Sequence, residues 1–177
     1  MAAERPDLDL TPMTRADEAA IEAQLQRPPR SVAGIAHRCS CGQPDVIATE
    51  PRLPNGTPFP TTYYLTCPRA TAACSRLESS GLMVEMTERL ETDPELAAHY
   101  RRAHESYLAD RAQLGEVAEV EGISAGGMPT RVKCLHVLAG HALAKGPGVN
   151  PLGDEVVDAL GEYWARPCLP DAGEEER

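Results

Sequence analysis

At Pro68 the sequence changes its grammar, and that change limits the folds open to the chain. Before it, from Ser31 to Cys67, apolar residues come in short runs with β-branched or aromatic character. These are SVAGIAHR, DVIAT and TTYYLTC, with the turn cluster PNGTPFP between the last two. After it, apolar residues recur at helical spacing, and prolines and glycines fall where helices begin and end. The reading is three short strands, the second and third antiparallel, and then helices. The fold class predicted is α+β, a small antiparallel sheet of about three strands followed by a helical majority.

The helices can be placed from their end signals. Thr14 followed by Asp17 resembles a capping box and starts a helix to about Leu25, which Pro28 and Pro29 stop. Residues 69–80 form a second helix that Gly81 caps, and residues 82–91 a third. Asp93-Pro94 opens a long helix to about Leu114, with Leu96, Tyr100, Ala103 and Tyr107 on one face. The stretch GEVAEVEGISAGGM reads as a loop. Pro129 is predicted to open a helix to about Ala144, GPGVNPLG to be a rigid connector, and residues 154–165 a last helix. Residues 1–13 and 167–177 read as tails around a single domain at 14–166. The chain's 177 residues suit one domain of that size.

Composition narrows the partners. With 17 Lys+Arg against 27 Asp+Glu the formal net charge is −10, which argues against nucleic acid or an anionic membrane as partner. One Phe, one Trp and five Tyr are too few for a base-stacking platform. No apolar run approaches the roughly 20 residues of a membrane span. The opening MAAERPDLDLTPMTR lacks the basic-then-apolar order of a signal peptide, so a cytoplasmic location is expected. The patch RPPR (27–30), with Arg38 and Arg52, reads as solvated charge.

Six cysteines carry the functional signal: Cys39, Cys41, Cys67, Cys74, Cys134 and Cys168. In a reducing compartment they compete as metal ligands, reactive thiols or small core residues. Cys39 and Cys41 form a C-x-C pair where the first strand turns at Gly42 and Pro44. In extended chain such a pair puts both sulfurs on one side. Cys67 ends the third strand before a proline, and free turn N–H groups at such places can hydrogen-bond a thiolate. On a helix drawn from Pro129, Cys134 and His141 fall outside the apolar stripe of Leu135, Leu138, Ala139, Ala142 and Leu143. This favours a task for Cys134. Seven helical residues span about 10 Å, too far for Cys134 and His141 to share an ion.

Cys39, Cys41, Cys67 and Cys134 are therefore the candidate thiolates of a zinc site or iron–sulfur cluster, with His136 as a further ligand. Cys74 and Cys168 read as bystanders. The loop A-G-G-M-P followed by Arg131 and Lys133 resembles an anion cradle at a helix start, with His141 as its pocket residue. The histidines His99 and His104 point to different faces of the long helix and make no joint site. No Walker A, dinucleotide, H-E-x-x-H or G-x-S-x-G motif occurs.

Four motifs in order carry a resemblance: H-R-C-S-C-G-Q-P (37–44), T-P-F-P-T-T-Y-Y-L-T-C-P (57–68), G-G-M-P-T-R-V-K-C-L-H (126–136) and G-V-N-P-L-G-D (148–154). Together they resemble the bacterial domain-of-unknown-function family numbered 501, mainly actinobacterial, over roughly residues 15–166. The resemblance implies no established activity. It implies that Cys39, Cys67, Cys134, His136 and His141 match recurring positions, with the place of Cys41 less regular. A three-cysteine site with an open or histidine-filled fourth position then stands beside a four-cysteine one. Gene neighbours of such proteins include enolase, a division protein and an exopolyphosphatase-like enzyme.

Three functions follow as expectations. The first is a cysteine-rich metal centre joining sheet to helix, beside a pocket for a small anionic ligand. The second is a non-catalytic interaction module with a protein partner in cell division or stress. The third is a redox-responsive thiol protein.

Overall fold

A computed structural model describes residues 8–169. The element order is α1 (Arg15–Leu25), β1 (Val32–Arg38), β2 (Pro44–Thr49), β3 (Tyr63–Leu65), α2 (Pro68–Ser79), α3 (Leu82–Thr92), α4 (Pro94–Leu114), α5 (Leu135–Lys145) and α6 (Pro151–Ala159). Short 3-10 turns lie at Ala118–Val120 and Tyr163–Ala165. The fold is α+β. Its three strands form one antiparallel sheet in the order β1-β2-β3. No helix of the described residues is long and apolar enough to cross a membrane.

β2 is the central strand, and all of it is buried. Because strand side chains alternate, it feeds two cores. Val46 and Ala48 pair with Leu65 and Tyr63 of β3 and join the main core with the helices α2 to α6. Ile47 faces the other way, onto Ile35 of β1 and Ile21 of α1. Arg38 at the end of β1 grips the Asp17 carboxylate with two guanidinium nitrogens at 2.7 and 2.8 Å, which ties α1 to the sheet.

Helix ends follow the sequence signals where a polar cap stands before the first turn. Thr14 and Asp17 form a reciprocal capping box. The Asp93 side chain accepts from the Leu96 N–H at 3.1 Å, and the Asn150 side chain from the Gly153 N–H at 2.9 Å.

Three expectations need correction. The helix predicted from Pro129 begins only at Leu135. Gly126 and Gly127 both adopt positive φ, and the N–H groups of Lys133 and Arg131 return to their carbonyls, so residues 126–133 fold into a turn. The last helix starts at Pro151, capped by Asn150, and ends at Ala159 rather than spanning 154–165. The N-terminal tail expected to run to residue 13 is packed where it is described. Leu8 and Leu10 lie against the core, and Thr11 bridges to Ile35. The tail readings for residues 1–7 and 170–177 lie outside the described residues.

α5 is the helix that positions the site. Seven of its residues, Leu135 and Val137 to Ala142, are buried, as suits a helix that is apolar nearly all round. At Gly140 a Cβ would meet the Tyr63 carbonyl oxygen at 3.0 Å, so glycine permits the close approach of α5 to β3. That contact brings the start of α5 beside both the sheet and α2.

Candidate metal centre

Three donor atoms converge where α5 begins against α2. Cys134 is the residue before the first turn of α5, and His136 is in that turn. Glu78 reaches across from the last turn of α2. His136 Nδ1 lies 3.0 Å from Glu78 Oε1 and 3.9 Å from Cys134 Sγ. All three ligand atoms stand within 4.8 Å of one another. Among the described residues this is the one group of three or more His, Cys, Asp or Glu side chains that does so.

The surroundings fix each member. On its other edge His136 Nε2 lies 3.2 Å from the Thr71 carbonyl, which accepts its N–H, and 3.4 Å from Ser75 Oγ. Glu78 Oε1 also accepts the Leu135 N–H at 2.8 Å, satisfying an orphan donor at the start of α5. The contacts with Cys134 and Glu78 push the His136 imidazole up to about 9, against burial. Cys74, one turn before Glu78 on α2, is fully buried next to this group. Burial pushes its thiol up to about 12, and the charges of Glu78 and Cys134 add to the shift. A cavity of about 380 Å³ opens beside the donors, walled by Tyr63 and Leu65 of β3, by Thr71, and by Val137 of α5.

The metal ligands expected from the sequence are therefore not drawn to one point. Cys134 and His136 come together, and Glu78 joins them. Cys39 and Cys41 flank the β1–β2 turn, and Cys67 precedes the first turn of α2. These three share no group of mutually close donors with Cys134. The helical register assumed for Cys134 fails because it lies outside α5, at its cap. Cys74, read as a bystander, borders the site.

The expected anion set is dispersed. Arg131 and Lys133 are exposed on the turn before α5, not on a helix end. His141 is fully buried, stacked on Tyr63 with ring centroids 5.9 Å apart and edge-on to Tyr107 at 5.1 Å. Asn150 Nδ2 donates to its Nδ1 at 3.2 Å. Burial, with the charge of Lys145, pushes this imidazole down to about 3, so it is a neutral core group. His99 and His104 stand apart, one on the Gly148 carbonyl and the other on Ser124 Oγ.

Glu78 escapes sequence reasoning because one acidic residue on a helix looks like any solvated charge. A signal was present. Thr71, Cys74, Ser75 and Glu78 recur at i, i+3, i+4 and i+7, one stripe of α2.

No curated protein and no solved structure matches the chain. A family model matches residues 35–158, a span that contains Cys39 through His136 and stops before Cys168. On that match the chain belongs to the family described as "Protein of unknown function (DUF501)".

Proposed function

We propose that this protein binds a divalent transition-metal ion, zinc in the first place, through Cys134 Sγ, His136 Nδ1 and a Glu78 oxygen. The observation that carries the reading is how His136 is held. Its Nδ1 is turned to the other two donors while its Nε2–H is fixed on the Thr71 carbonyl. Metal-binding histidines are held in this way, because the outer hydrogen bond sets both tautomer and ring direction. A mixed set of one sulfur, one nitrogen and one oxygen suits zinc, whereas iron–sulfur clusters draw on thiolates.

Three protein ligands leave a coordination position for water or a substrate atom, the arrangement of reactive rather than purely structural zinc. The cavity between β3 and α5, which Cys134 and His136 help to line, would give such a ligand room. An ion there would supply a Lewis acid and acidify a bound water. The chain's own residues hold the donors and shape the cavity with Tyr63 and Leu65.

The test is zinc stoichiometry by equilibrium dialysis of the reduced, metal-stripped protein. His136→Ala and Cys134→Ala should each bind one equivalent less than wild type. If both variants take up as much zinc as wild type, the reading is wrong.

A further inference from the structure

Four thiols outside the triad, Cys39, Cys41, Cys67 and Cys168, lie around the β1–β2 turn and the start of α2. Cys39 and Cys41 belong to a tight turn closed by the Gly42 N–H on the Cys39 carbonyl and the Cys39 N–H on the Gln43 carbonyl. Within it the Cys41 N–H donates to Cys39 Sγ at 3.4 Å. The Gln43 backbone amide stands near Cys41. A backbone donor aimed at a sulfur in this way is what a thiolate ligand needs.

Cys168 comes to the same place from the far end of the chain. Arg69 Nε holds the Pro167 carbonyl at 3.1 Å, which pins this segment to the start of α2 beside Cys67. Gln24 Nε2 donates to Cys168 Sγ at 3.3 Å, and to the Pro44 carbonyl at 2.7 Å. Cys41 and Cys67 both stand close enough to Cys168 to act on its thiol. Cys67 itself is the residue before the first turn of the 12-residue α2.

The geometry points to a second metal site, made of Cys39, Cys41, Cys67 and Cys168, that takes zinc as a closed four-thiolate centre and fastens the C-terminal segment to the sheet. It is independent of the Glu78 triad. Four soft sulfurs with no open position make a structural site. Zinc replaces thiol protons, so binding releases them and changes no oxidation state. At about 2.3 Å per zinc–sulfur bond the sulfurs must draw closer than they stand, since no three of them lie within 4.8 Å of one another. Cys168 lies in non-helical backbone after Pro167.

The test is titration of Co²⁺ alone into the full chain, stripped of metal and kept reduced, read by sulfur-to-cobalt charge-transfer absorption. Cys134→Ser should leave most of the band. Cys41→Ser and Cys168→Ser should each weaken the Co²⁺ affinity behind it at least tenfold and return the altered shape of a three-sulfur site. Should Cys168→Ser fail to fold, Cys41→Ser decides, because its side chain is only half-buried on the turn. A band lost in Cys134→Ser and unchanged in the other two overturns this site and leaves the triad standing. The opposite pattern supports it even if the triad fails. No charge-transfer band at all, or a Cys41–Cys168 disulfide in protein purified under nitrogen, also overturns it.

Discussion

The Nδ1 atom of His136 lies 3.0 Å from Glu78 Oε1, and the same oxygen accepts the Leu135 N–H at 2.8 Å. One carboxylate thus caps α5 and faces the imidazole, and the two tasks separate by substitution. Glu78→Gln keeps an acceptor for the Leu135 N–H and should cost the metal-free fold less than about 0.5 kcal/mol. Glu78→Ala removes the cap and should cost about 1 kcal/mol. Both should weaken zinc binding at least tenfold, since neither supplies a carboxylate. Urea unfolding of the stripped protein and competition with a chromophoric chelator would separate the effects. Equal zinc affinity in Glu78→Gln and wild type would remove Glu78 from the ligand set.

Cys134 and Cys74 border the same site but should respond in opposite ways. Cys134 is half-buried at a helix cap and makes no side-chain capping bond, so Cys134→Ala should cost the stripped protein under about 1 kcal/mol. Zinc at 100 times its dissociation constant adds about 2.7 kcal/mol to a protein that binds it only when folded, and Cys134→Ala should lose that increment. Cys74 is fully buried, and Cys74→Ala should cost about 1–2 kcal/mol by leaving a cavity, with the zinc increment intact. Melting curves with and without zinc would show whether the two variants trade places.

Local signals account for what was legible in the chain. Thr14 and Asp93 cap helices through their own side chains, and the β-branched runs before Pro68 pair as a sheet; Asn150 is a cap too, but GPGVNPLG reads as a connector. The start of α5 was not legible, because Pro129 is a good first helical residue. What overrides it is a pair of positive-φ glycines and the return of the 131 and 133 amides to them, a tertiary outcome. Misplacing that start by six residues put Cys134 on a helix face instead of at a cap. The C-x-C turn could be read locally. The placement of Cys168 could not, since it depends on Arg69 and Gln24 catching a segment almost 100 residues or more away.

His141 gives the fold a sensitivity to acid. Its folded pKa, about 3, is depressed below the 6.5 of an unfolded histidine by burial and by Lys145. The unfolded chain therefore binds the extra proton between those values, and this contribution to stability is complete above about 6.5 and lost as pH falls toward 3. From pH 7 to pH 5 the loss should be about 2 kcal/mol, at 1.36 kcal/mol per unit. His141→Gln should be less stable at pH 7 but flatter across that range. Urea unfolding at the two pH values would check it, and an unchanged slope in the variant would exclude His141 as the cause.

The start of β3, which walls the cavity, rests on one hydroxyl. Tyr107 Oη accepts the Thr62 N–H at 2.6 Å and the Tyr63 N–H at 3.3 Å, and both Tyr107 and Thr62 are buried. In Tyr107→Phe the ring still fills its place, but the Thr62 N–H loses its acceptor where water does not reach. A buried donor left unpaired costs about 1–3 kcal/mol. Tyr100→Phe is the matched comparison. Its hydroxyl donates to the Arg131 carbonyl at 3.1 Å, on a turn exposed enough for water to take over. That variant should cost under about 1 kcal/mol. Hydrogen exchange adds a local readout: the Thr62 and Tyr63 amides should exchange faster in Tyr107→Phe than global stability accounts for, and at the globally expected rate in Tyr100→Phe. If Tyr107→Phe costs no more than Tyr100→Phe and those two amides stay equally protected, the strand is held by packing against α5 and not by the Tyr107 hydroxyl.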